Sequence, residues 1–62
     1  MSVGPQLSSV ATALDELTQR ITDMAESLSG SERDDIATTL FEVERALRSA
    51  GRSLDRLVDD LL

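Results

Sequence analysis

The sequence predicts an all-α protein, an antiparallel helical hairpin with coiled-coil-like heptad seams. Three observations carry that prediction. Apolar residues recur at alternating steps of three and four on both sides of one interruption, Ser29-Gly30-Ser31. The interruption is short enough to make the flanking helices antiparallel neighbours. Pairs drawn across the two series also have a nearly constant sum of residue numbers, which is the arithmetic of an antiparallel pair.

Helix 1 is expected near residues 5 to 28, where the apolar series is Leu7, Val10, Leu14, Leu17, Ile21, Met24 and Leu28. Gly4-Pro5 opens it, because a proline in the first turn gives up no helical hydrogen bond; Ser8 or Ser9 is the rival start. The turn is expected at residues 29 to 31. Gly30 suits the left-handed residue that closes a helix, and Ser31 suits the next N-cap, with Glu32, Asp34 and Asp35 at the positive end of that helix.

Helix 2 is expected near residues 31 to 61, with the series Ile36, Leu40, Val43, Leu47, Ala50, Leu54, Leu57 and Leu61. Pairing Met24 with Ile36, Ile21 with Leu40, Leu17 with Val43, Leu14 with Leu47, Val10 with Ala50 and Leu7 with Leu54 gives sums of 60 or 61. In that register helix 1 runs out first. About eight residues of helix 2 then project roughly 12 Å past it, at 1.5 Å per residue. Gly51 asks for a reason inside a helix: either a partner helix approaches closely there, or the helix breaks and Ser53 caps a short third helix from Leu54 to Leu62.

With 62 residues the chain makes a single helical-hairpin domain, and 40% hydrophobic content separates it from disordered tails. Cysteine, histidine and lysine are absent, so thiolate, imidazole and Schiff-base chemistry are excluded. The serines have no imidazole or amine to activate them and read as caps and helix surface. No cofactor is implied. Asp15, Glu16, Asp23 and Glu26 fall on polar heptad positions, and a di-iron bundle would need inward glutamates with Glu-x-x-His motifs, so no metal is expected. Nor is catalysis expected. No apolar run reaches the roughly 20 residues of a membrane span and no leader pattern opens the chain, so a cytoplasmic protein is expected, and arginine as the sole base suggests a bacterial one.

The function expected by elimination is protein–protein interaction, as a small self-associating scaffold or adaptor. A lone hairpin of this size buries one face per helix, too little for a secure core. Small residues flank the seams (Ala11, Ala13, Thr18, Ala25 and Ser27; Ala37, Thr39, Ala46, Gly51 and Ser53) and widen the packable stripe to what a four-helix bundle needs. The expected contact with a second copy, or with another helical protein, comprises Phe41, Gly51, Leu54, Leu57, Val58, Leu61 and Leu62, rimmed by Arg48, Arg52 and Arg56. A homodimer is the first choice of assembly.

Two other readings use charge. Arg45, Arg48, Arg52 and Arg56 share a helical stripe that could meet nucleic acid. The hairpin-dimer shape is also that of a known small RNA-binding bundle. Acidic neighbours, a net charge of -6 and the absence of stacking aromatics weigh against it. The same net charge fits an antitoxin or inhibitor of a basic partner. The turn lacks the Trp-x-Gly signature of secreted helical hairpins.

Overall fold

A computed structural model describes residues 2–61 and contains two helices packed against each other, α1 (Val3–Leu28) and α2 (Asp34–Leu61). No strand occurs among the described residues. The hairpin is a rod measuring 48 × 14 × 12 Å over its Cα atoms.

α1 starts two residues earlier than the sequence suggests, at Val3, so that Pro5 stands in the first turn, where backbone N–H groups have no intrahelical partner. Between the helices, Gly30 adopts φ 78°, the left-handed conformation expected of it. Ser31 does not cap α2 directly. Its hydroxyl donates to the Leu28 carbonyl at 2.6 Å and accepts from Arg33 N–H at 3.1 Å, while Asp34 Oδ1 accepts from Gly30 N–H at 2.7 Å. The turn is therefore longer than expected, and α2 opens with Asp34 and Asp35 at its positive end. No break occurs at Gly51: α2 is continuous, and Ser53 donates to the Ser49 carbonyl in mid-helix.

The register differs from the one expected. A Cβ built on Gly51 would stand 3.9 Å from Leu14 Cδ2, and Thr22 Oγ1 lies 2.7 Å from Glu44 Oε2. These contacting pairs sum to 65 and 66, not to 60 or 61. At that sum Leu7 stands level with Val58 and Gly4 level with Leu61, and Gly4 is buried. The 12 Å overhang of α2 is thus removed, because α1 begins earlier and the helices are offset by about one turn from the expected pairing.

Rotation accompanies the shift. The side of α1 that meets α2 carries an inner row of Leu7, Leu14, Ile21 and Leu28 and a small row of Gly4, Ala11, Thr18 and Ala25, every seven residues. Gly4, Thr18 and Ala25 are buried, as is Thr22 beside them. On α2 the inner row is Leu40, Leu47, Leu54 and Leu61 and the small-to-mixed row is Ala37, Glu44, Gly51 and Val58. Small side chains let the two backbones approach and bring the inner rows together, except at the end of α2, where Leu61 stays 52% exposed. The core is thin, since Ala25 and Ala37 are the buried hydrophobic residues and no large side chain is fully enclosed among the described residues.

Gly51→Ala is expected to stabilise the hairpin by up to about 1 kcal/mol, because the added methyl meets Leu14 at ordinary contact distance while the helix loses a glycine. Gly30→Ala is expected to cost about 1 kcal/mol, since its positive φ opposes a Cβ even where space is free. Urea unfolding followed by circular dichroism measures both.

Candidate functional site

Each helix carries a second heptad row, next to the inner one, that the hairpin contact leaves outside. On α1 this outer row is Val3, Val10, Leu17 and Met24, which are 47, 52, 50 and 48% exposed. On α2 it is Ile36, Val43, Ala50 and Leu57; Ile36 at the turn end is half-buried, whereas Val43 is 39% and Leu57 48% exposed. In an antiparallel pair these rows fall on the same side. One face of the rod is therefore apolar over its length, with a shallow groove lined by Leu14, Leu17, Ile21, Met24 and Leu47, and by the side chain of Arg20.

The row flanking that face is uncharged or small at most positions: Gln6, Ala13, Arg20 and Ser27 on α1, Thr39, Ala46, Ser53 and Asp60 on α2. At 100° per residue the inner, outer and flanking rows span an arc of about 100° on each helix. That arc carries one base and one acid, Arg20 and Asp60, so the chain's net charge of -6 resides elsewhere.

The opposite side is polar. A wider groove runs there between Ser8, Ala11 and Thr18 of α1 and Gly51 and Val58 of α2, edged by Asp15, Arg48, Arg52 and Asp55. Glu44 lies in the helix contact with its side chain 15% exposed. Thr22 Oγ1 reaches both Glu44 Oε2 at 2.7 Å and the Thr18 carbonyl at 3.1 Å, and its single proton favours the charged acceptor. Arg48 Nε adds an ion pair at 3.3 Å. The Thr22 hydrogen bond, with Arg48 and then Arg45 behind it, holds the Glu44 carboxyl below its ordinary value against the opposing effect of burial.

The residues expected to form one contact are divided between these faces. Leu57 lies on the apolar face, and Leu54 and Leu61 belong to the inner row beside it. Gly51, Val58, Arg48 and Arg52 line the opposite groove, and the partner helix that approaches Gly51 is α1 itself. Phe41 is half-buried within the hairpin on the polar side, Arg45 is exposed away from the apolar face, and Arg56 is exposed at its edge, in the row beyond the flanking one. Leu62 lies outside the described residues. Within the arginine stripe Arg48 is ion-paired with Glu44, and Arg56 donates to the neutral Ser53 Oγ at 3.3 Å.

Val3, Val10, Leu17, Met24 and Val43 are the members of the apolar face that sequence reasoning placed elsewhere or left out. The signal that could have found them is the small row Gly4, Ala11, Thr18 and Ala25, whose spacing of seven marks the closest helix contact. Among the described residues no acidic cluster could hold a metal ion, and no helix is long and apolar enough to cross a membrane. Compared with family models, curated proteins and solved structures, the chain finds no match in any of the three.

Because the folded Glu44 carboxyl titrates below its ordinary value of 4.5, its contribution to stability is complete above that pH and lost as pH falls through the folded value. Stability measured from pH 7 down to pH 3 is expected to fall more in the native chain than in Glu44→Gln, and Thr22→Val is expected to reduce the difference. Equal slopes in the native chain and Glu44→Gln would show that the contact is energetically silent.

Proposed function

We propose that this chain is a non-enzymatic protein–protein interaction module, a small helical scaffold or adaptor that works by completing a four-helix bundle through its apolar face. The supporting observation is the pair of outer rows, with six large apolar side chains (Val3, Val10, Leu17, Met24, Val43 and Leu57) between 39 and 52% exposed on one side of a rod. Apolar surface gathered on one face, with charge on the other sides, is the form of a docking surface.

Size adds a second argument. A compact monomer of 6.7 kDa has an accessible surface of roughly 3,900 Å² by the usual mass scaling. This hairpin exposes 4520 Å². The excess, about 600 Å², approaches the roughly 800 Å² that each partner contributes to a standard interface. The partner chemistry that fits is a second pair of helices with its own apolar heptad rows, supplied by another copy or by another helical protein.

The test is a double substitution on the face, Leu17→Glu with Val43→Glu, compared with Arg52→Ala on the opposite groove. Both side chains on the face already meet solvent, so helical content is expected to persist in circular dichroism. Association with helical partners, read by retention on the immobilised chain, is expected to fall at least tenfold for the double variant and to change less than twofold for Arg52→Ala. Retention unchanged by the double variant would place the contact elsewhere and reject the reading.

A further inference from the structure

Resting on the reading of the apolar face as an interaction surface, we propose that its occupant is a second copy of this chain, turned about a two-fold axis so that the two turns lie at opposite ends of the bundle. Three observations converge on a copy. The inner rows already form the α1–α2 interface and keep part of their surface exposed, so a second layer continues an existing contact. The surface excess described above is of the size that one partner of a dimer contributes. The face has no net charge on a chain of net charge -6, which lets two acidic copies approach face to face without bringing their surplus acids together.

Register then tests the geometry. With α1 packed on the partner's α1, outer-row residues meet inner-row residues: Val10 faces the partner's Ile21 and Leu17 faces the partner's Leu14, both with a sum of 31. With α2 on the partner's α2, Val43 faces the partner's Leu54 and Ala50 faces the partner's Leu47, both with a sum of 97. These seams centre between residues 15 and 16 on α1 and between 48 and 49 on α2. The intrachain register, in which residue 14 faces 51, brings the two centres to the same height within about one residue, or roughly 1.5 Å. One two-fold axis therefore serves both seams.

Charge chooses between the two closed arrangements. If the turns shared one end, α1 would lie beside the partner's α2 and Asp23 would stand level with the partner's Glu42, giving two like-charge pairs per dimer. With turns at opposite ends, Glu42 stands level with the partner's Arg56 in two attractive pairs, against one repulsive meeting of Glu16 with the partner's Glu16.

The experiment uses the full chain, which has no cysteine of its own, with Ser31→Cys in the turn carrying a nitroxide label. Sedimentation is expected to give twice the 6.7 kDa chain mass, and pulsed electron paramagnetic resonance a label separation close to the 48 Å length of the rod. Leu17→Glu with Val43→Glu is expected to abolish the dipolar signal while circular dichroism still reports the helices. A separation of about 20 Å or less, set by helices packed 8–10 Å apart at one end, overturns the arrangement. So does a dimer that survives the double substitution. A purified chain that stays at 6.7 kDa overturns the copy as occupant, yet leaves the interaction module standing if another helical protein is still retained through Leu17 and Val43.

Discussion

Each helix here has a packable arc wider than one neighbour can cover. Counted from the flanking row through the outer and inner rows to the small row, it spans about 160° of the helix circumference at 100° per residue. α1 and α2 meet along the small and inner rows, where Ala25, Ala37 and Gly51 allow close approach. The outer rows are then excluded from the contact by geometry, and the larger side chains Leu17, Met24, Val43 and Leu57 are turned outward. The thin core, the register and the open face all follow from that choice of side.

Most of the fold was legible because periodicity, a central glycine and the acids at the start of α2 all act locally. Two helices, their antiparallel order and the left-handed Gly30 needed nothing beyond the sequence. The side of contact was harder. Leu7, Leu14, Ile21 and Leu28 belong to both possible seams, so their spacing cannot tell whether the second row is the large one or the small one. Weighing side-chain bulk favours Val10, Leu17 and Met24, whereas the fold uses Ala11, Thr18 and Ala25. Choosing the larger row also shifted the register, produced a false overhang at the end of α2 and concentrated the candidate contact there. From the sequence alone the small residues read as a widening of the seam and not as its centre.

Glu44 helps explain why the small row wins. In the bulkier seam this carboxylate would lie beside the contact, free in solvent, and Thr22 would have no partner across the hairpin. In the observed rotation Thr22 and Glu44 meet at 2.7 Å, with Arg48 at 3.3 Å behind them, so the one acid within the interface is satisfied on both sides. A part-buried polar contact of this kind favours one alignment more than it adds stability. A slip by one heptad would place Glu44 against Asp15, a like charge, or against Ser29, just past the end of α1. The Thr22–Glu44 contact therefore favours the observed register.

The inner leucines would link folding to the proposed association. Leu14 and Leu47 border the apolar groove on one side and the polar groove on the other, so α1–α2 packing covers only part of each. A second layer of helices would remove their remaining surface from water together with the outer rows. The free energy of that burial would add to the stability of a hairpin in which, among the described residues, Ala25 and Ala37 are the buried apolar ones. Anything that binds the folded state alone stabilises it by mass action. A chain built in this way would gain stability from whatever covers its open face, which is the physical basis of the proposed interaction module.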